Sequence, residues 1–478
     1  MASTSAPTIK DRIDGFFEIT KRGSTFGGEL RGGLVTFVAM AYIVVLNPII
    51  LSGGVDVDGE SLGFAQLSAV TALTAGVMTI LFGLVARLPF AFAAGLGINS
   101  FLAFSVVGQV TWAEAMGLVV INGLFIVLLA ATGLRRLIFE AVPIQLKIGI
   151  TVGIGLFIAF IGLVNAGFVT TTKQPSPPIG LGLDGSVATL PTVIFVITVL
   201  LGGVLVARRV KGALLIAILS GTVLAVIAEL IWKVGASNGG ENPGGWSLSV
   251  PALPTQIFSV PDLGLLGAFN FGAFERIGVL AALMLVFTLV FTNFFDAMGT
   301  MTGLSKEADV ADEKGNFPRI KSALIVEGVG AVAGGAASAS SNTVFVESGA
   351  GIGEGARTGL ANIVTGVLFL LAMFLTPLTS IVPSEVASAA LVLVGAMMMA
   401  QIKDIVWTDF SVSFPVFITI AVMPFTFSIA NGIGAGFIAW VILRAFSGKA
   451  REISPLLWVV ALGFLVYFAR GPIEMLFA

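Results

Sequence analysis

SASSNTVFVESGAGIG (338–353) is the stretch on which the fold turns. It sits among apolar runs, yet it is rich in Ser, Thr, Asn and Gly and carries an acid, Glu347. Broken backbone inside a bilayer persists only where it is buried in protein or lines a cavity. FAFAAGLGINSFLAF (90–104) has the same character: it is short, Gly-broken and holds Asn99. Paired interrupted segments at matching positions of two halves mark the substrate site of a carrier. Close helix packing explains one glycine-rich break well and two in register poorly.

The surroundings of these stretches place them in a membrane. The chain has 478 residues, 56% hydrophobic and only 11% charged, more apolar surface than a soluble domain hides. Fourteen apolar segments are read, seven in 29–233 and seven in 278–446, divided by a Gly/Pro/Ser-rich linker at 234–277. An odd number per half forces the second half to enter with opposite polarity, the arithmetic of an inverted repeat. Residues 1–28 form a polar tail, expected to be cytoplasmic, without the apolar core of a signal peptide. The C-terminal tail, 447–478, contains a further apolar stretch at 454–469 that either spans or lies at the interface. With the N-terminus inside, 21 of the 25 Lys and Arg fall on the inner side. Lys173, Lys233 and Arg276 fall outside, and Arg470 follows the last stretch unassigned.

A net charge of −2 leaves no nucleic-acid footprint. Zero Cys and zero His remove disulfides, thiol catalysis and most metal sites, so none is expected. A proton relay here runs on carboxylates and water. Asp296, in VFTLVFTNFFDAMGTMTG (286–303), and Glu347 are acids within otherwise apolar segments. Such acids are expensive and mark substrate or proton pathways. Ser348, Gly349 and Gly351 suit the N-terminal end of a half-helix whose N–H groups would face a negative charge at Glu347. Asn99, which both donates and accepts, is expected to face the two acids across the cavity. Phe345 stands two residues before Glu347, so in extended backbone the ring and carboxylate share a face. Thr343 and Ser348 complete the substrate-binding candidates. Glu327 and Asn342 are supporting candidates behind them, and Glu354 is read as structural, near the inner rim with Arg357.

The strings TFVAMAYIVVLNP (36–48), GLGINSFLAF (95–104), TVGIGLFIAFIGLVNAG (151–167), FFDAMGT (294–300) and VESGAGIGEGARTGL (346–360) resemble the AzgA-like purine permeases. These are a branch of the nucleobase–cation symporters related to the nucleobase–ascorbate transporters. The resemblance implies an all-helical membrane fold of fourteen segments in a 7 + 7 inverted repeat, with short strands in segments 3 and 10. It implies a core domain (about 29–133 and 278–378), a gate domain (about 143–233 and 386–446) and an elevator-like movement. It implies uptake of adenine, guanine or hypoxanthine with protons, and it places the essential polar residues at Asn99, Asp296 and Glu347. Phe345 stands where the family usually has Tyr. Asn342 and Val344 depart from the family's Ser/Thr-rich run, which bears on which purine is preferred.

A purine is flat and neutral, with N–H donors for Asp296 and Glu347 and ring nitrogens for donors opposite. Two acids sharing a site disfavour double ionisation, so either can carry the coupling proton. No cofactor is expected beyond that proton, with sodium as the alternative ion. The expected setting is the plasma membrane, crossed many times, with a homodimer through the gate domain possible. The rival cargoes are uracil and xanthine. An anion carrier is disfavoured because neither broken segment holds Lys or Arg. An intramembrane aspartyl enzyme and a channel are the remaining classes, told apart by turnover and by purely downhill flow.

Overall fold

The computed structural model describes residues 8–133, 142–172, 176–183, 185–237, 241–254, 256–311 and 317–469. Arg135, Arg136, Lys173, Lys314 and Arg470 of the charge count lie outside the described residues, as do both chain ends.

The chain opens with helix α1 (Ile9–Phe17), started by a reciprocal cap between Thr8 and Asp11. Next come α2 (Phe26–Met40) and α3 (Ile43–Ser52), joined by a turn at Ala41–Tyr42. Within α3, Pro48 has no N–H for the Val44 carbonyl. The Ser68 hydroxyl donates to that carbonyl instead, at 2.9 Å. α4 (Phe64–Val85) carries Ser68 and leads to β1 (Phe92–Ala94) and α5 (Leu96–Phe101), which widens into a π turn over Leu102–Val106. α6 (Trp112–Thr132) and α7 (Ile144–Asn165) follow, then a hairpin of β2 (Val169–Thr171) and β3 (Ile179–Leu181). α8 (Leu190–Ala207) and α9 (Ala213–Trp232) end the first half. The second half runs α10 (Ala273–Arg276), α11 (Val279–Glu307), α12 (Ile320–Ala336), β4 (Asn342–Val344) and α13 (Ser348–Ile352). It closes with α14 (Gly359–Ala372), α15 (Thr376–Thr379), α16 (Ser384–Met399), α17 (Phe410–Phe425), α18 (Ile429–Arg444) and α19 (Pro455–Phe468).

Among the described residues, ten helices are long and apolar enough to cross a membrane. Three shorter apolar helices accompany them, over Leu96–Val106, Phe410–Phe425 and Pro455–Phe468. The last of these is the 454–469 stretch. At about 1.5 Å per residue it is roughly 21 Å long, short of a hydrocarbon core of about 30 Å. It packs on α18 and reaches α11.

The helices pack in two groups. α2, α4, α6, α12, α13 and α14 lie against one another, and α7, α8, α9, α16, α17 and α18 form the other. Small residues set the approach in the first group. A Cβ on Gly32 of α2 would stand 2.8 Å from the Gly351 carbonyl, and one on Gly123 of α6 would stand 2.7 Å from that of Gly328. Glu29, buried in α2, accepts the N–H groups of Arg357 at 2.9 Å, Thr358 at 3.1 Å and Ala361 at 3.2 Å. The carboxylate thus caps the N-terminus of α14, satisfying donors that a helix start leaves open. Glu29→Ala strands those donors and is expected to destabilise the protein by about 3 kcal/mol. The check is thermal unfolding of the detergent-solubilised variant. Glu29→Gln should cost less, and unchanged melting of the alanine variant would show that the cap does not hold α14.

The 234–277 region is not a free linker. Trp246 is buried, bridges Ala236 and donates its indole N–H to Glu229 at 2.9 Å. Ser247 donates through N–H and hydroxyl to Glu385 of α16, at 2.9 and 2.8 Å. Within this Gly/Pro/Ser-rich stretch the single tryptophan supplies an anchor.

Candidate functional site

The two interrupted segments meet. β1 and β4 pair antiparallel, with Phe92 opposite Val344, Ala93 opposite Thr343 and Ala94 opposite Asn342. Flanking bonds extend the ladder, from Gly95 N–H to the Ser341 carbonyl at 2.9 Å and from Phe345 N–H to the Ala91 carbonyl at 3.0 Å. Three-residue strands buried among helices leave edge groups that need partners. Side chains supply them. The Thr79 hydroxyl of α4 accepts the Phe92 N–H at 2.9 Å and donates to the Phe92 carbonyl at 3.1 Å. The Ser348 hydroxyl accepts the Ala91 N–H at 2.9 Å and donates to the Phe345 carbonyl at 2.7 Å. Asn362 of α14 donates to the Phe90 carbonyl at 2.7 Å. Thr79→Val is nearly isosteric and leaves both Phe92 groups unpaired. It is expected to cost about 2 kcal/mol in stability and to reduce the amount of folded protein in the membrane. Wild-type melting in this variant would show that the strand edge needs no partner.

A cavity of about 250 Å³ opens beside the strand pair. One wall is built by Tyr42, Gly95–Gly97, Asp296, Thr300 and the run Thr343–Glu347. The facing wall comes from α7, α16 and the turn that follows α16, through Thr151, Val394, Met397, Met398 and Gln401. Asp296 and Glu347 therefore share one space, near enough to act on each other electrostatically. Among the described residues no Lys or Arg lines it. Glu347 is the residue just before α13, and the Tyr42 hydroxyl donates to its Oε1 at 2.6 Å.

Thr343, Phe345, Asp296 and Glu347 line this cavity, but the other candidates do not. Ser348 is consumed by the strand edge. Asn99 is fully buried in α5, outside the lining, with neither amide atom hydrogen-bonded within the described residues. It does not face the acids across the cavity as expected; the amide in the lining is Gln401. Asn342 is buried against Gly334 of α12. Glu327 is fully buried beside Thr343 and Asp296, one layer behind the cavity wall.

One local expectation changes. Phe345 and Glu347 share the cavity, but not through extended backbone. The strand ends at Val344, and a turn closed by Ser348 N–H to the Phe345 carbonyl at 3.1 Å brings them together. Glu354, read as structural, pairs with Lys211 of the loop before α9. Arg357 donates to the Ile352 and Ala356 carbonyls at 2.7 and 2.9 Å.

Tyr42, Thr151, Thr300 and Gln401 were not singled out from the sequence. For Tyr42 a signal existed, since it is one of only two tyrosines in the chain and lies within an apolar run. Thr300 lies four residues after Asp296, one helical turn along the same face. Thr151 and Gln401 carry no comparable signal.

Comparison with known proteins agrees with this architecture. Adenine permease AdeP of Escherichia coli (strain K12) is 35% identical over 466 residues, 97% of this chain and 96% of that protein. Guanine/hypoxanthine permease PbuG of Bacillus subtilis (strain 168) is 37% identical over 459 residues, 95% of this chain and 98% of that protein. Among solved structures, the transmembrane domain of the cyanobacterial bicarbonate transporter BicA superimposes with a TM-score of 0.60 at 16% identity. That match covers 85% of this chain and 97% of the domain. The murine anion transporter Slc26a9 in its inward-facing state superimposes with a TM-score of 0.57 at 12% identity, covering 94% of this chain and 74% of that one. At such identities the likeness concerns the fold. Residues 27–435 match the Xan_ur_permease family, described as the permease family, and the chain is an integral, multi-pass membrane protein belonging to that family.

Proposed function

We propose that this chain imports purine nucleobases (adenine, guanine or hypoxanthine) across the plasma membrane by proton symport. The observation that carries the proposal is the cavity in which Asp296 and Glu347 meet without a cation. Carboxylates accept hydrogen bonds from purine N–H groups, and bonds to charged acceptors contribute about 1.5–3 kcal/mol each. Gln401, Thr343 and Thr300 offer donors to ring nitrogens or a carbonyl oxygen, and Phe345 offers an apolar face. The names of the relatives, adenine and guanine/hypoxanthine permeases, favour purines over uracil or xanthine. A lining whose charged side chains, among the described residues, are two carboxylates speaks against an anion as cargo, despite the shared fold.

In the proposed cycle the segments form a 7 + 7 inverted repeat with the N-terminus cytoplasmic. The helices around the strand pair act as core, and the group containing α7 and α16 acts as gate. The cavity lies between them, as an elevator-like displacement of one against the other requires. One of the two acids takes the coupling proton, so the loaded site crosses without a bare charge. Pairing of two copies through the gate is the proposed assembly.

Counterflow in proteoliposomes tests the function. Labelled hypoxanthine should exchange against internal hypoxanthine and be competed by adenine or guanine, and an inward proton gradient should drive accumulation. Competition by uracil or xanthine alone would reassign the cargo. Accumulation that follows a sodium gradient at constant pH would reassign the ion. Absence of exchange would refute carrier function.

A further inference from the structure

The tyrosine at the α2–α3 turn makes, among the described residues, the one side-chain hydrogen bond to an acid of the cavity. The Tyr42 hydroxyl donates to Glu347 Oε1 at 2.6 Å, a length typical of a hydrogen bond to a charged oxygen. We propose that Tyr42 is a positioning residue of the transport site, which fixes the Glu347 carboxylate so that Oε1 is held by protein and Oε2 is presented to an N–H of the base. This rests on the cavity being the substrate site.

Sequence and packing explain why the contact is built in. Gly32 brings α2 against the backbone at Gly351 and Ala356, beside α13. The Thr365 hydroxyl of α14 donates to the Gly33 carbonyl at 2.8 Å, and Glu29 caps α14. α2 is thus locked to the elements that carry Glu347. Tyr42, ten residues beyond Gly32, arrives at Glu347 as part of the same rigid unit. Its ring is 1% exposed and belongs to the apolar core, while its oxygen alone reaches the cavity acid. A phenylalanine would keep that packing, so the hydroxyl serves the carboxylate rather than the fold.

Glu347 sits at the tip of a turn before a five-residue helix, and that helix makes no side-chain cap with it. Without Tyr42 the carboxylate has rotamer freedom, and holding an acceptor in place before the ligand arrives reduces the ordering cost of binding. The other titratable groups around it are Asp296 from α11, Glu327 behind Thr343, and Glu307, which stands against Gly349. All are acids, so among the described residues Tyr42 is the side chain that donates to Glu347.

The test is Tyr42→Phe, measured by uptake kinetics of labelled hypoxanthine across external pH in cells lacking other purine carriers. Membrane abundance and melting temperature are followed in parallel, with Glu347→Gln as companion. The expected result is a KM raised about tenfold, corresponding to about 1.4 kcal/mol, a displaced pH profile, and unchanged abundance and melting. Wild-type KM and pH profile would overturn the proposal. So would lowered abundance at unchanged KM, since the hydroxyl would then serve folding. If Tyr42→Phe is wild-type while Glu347→Gln is inactive, this proposal fails and the cavity assignment stands. If both are wild-type, both fall.

Discussion

Asp296→Ala is expected to raise the KM for the transported purine by roughly 10- to 100-fold, the loss of one charge-assisted hydrogen bond of about 1.5–3 kcal/mol. The side chain is placed for it. Asp296 lies mid-way along α11, opens into the cavity on the wall it shares with the Thr343–Glu347 run, and meets no Lys or Arg there within the described residues. An acid with a basic partner would be accounted for by that partner; this one is left to the ligand. Asp296→Asn should be milder in packing and still weak in affinity, because an amide presents one acceptor and no charge. The measurement is saturation uptake with membrane abundance as control. Wild-type KM in the alanine variant would remove Asp296 from the binding site.

Glu347→Gln is expected to abolish accumulation against a gradient, lowering concentrative uptake about 100-fold or more, the equivalent of one or two charge-assisted bonds. Gln fills nearly the same space and still accepts from Tyr42, so the fold should survive, as circular dichroism and melting would register. What it lacks is the charge that, in the proposed cycle, would take the coupling proton. Counterflow separates two outcomes. Retained exchange with lost accumulation assigns proton coupling to Glu347, whereas loss of both assigns it to binding as well. Accumulation at the wild-type level with normal pH dependence would contradict any role in coupling.

Much of this site was legible in the sequence. Acids in apolar runs are costly enough to announce themselves, and Asp296 and Glu347 come together in the fold. The two Gly-broken stretches also meet, because each supplies the strand that the other needs for its unpaired backbone. Polar residues inside the breaks were harder to sort. Such residues have two tasks, to satisfy freed backbone and to bind ligand, and composition does not separate them. Ser348 serves the backbone and Thr343 lines the cavity, although both lie within five residues of each other. Asn99 shows the same ambiguity on the other segment. The facing wall was not legible at all. Thr151 and Gln401 sit in or beside ordinary apolar helices, and only the packing of α7 against α16 brings them to the site. Tyr42 depended on glycine contacts between α2 and the α13 region, distant in sequence from the residue they position.

The central claim is that one cavity, walled by Asp296 and Glu347 of the second half beside the β1–β4 pair that joins the two halves, holds a flat base. A structure of the protein with bound hypoxanthine measures this directly. The account predicts the base between Phe345 and Gln401, with one N–H within about 3 Å of a Glu347 oxygen and Asp296 at hydrogen-bond distance from the ring. A base bound elsewhere, or an occupied cavity in which neither carboxylate touches the ligand, would contradict it.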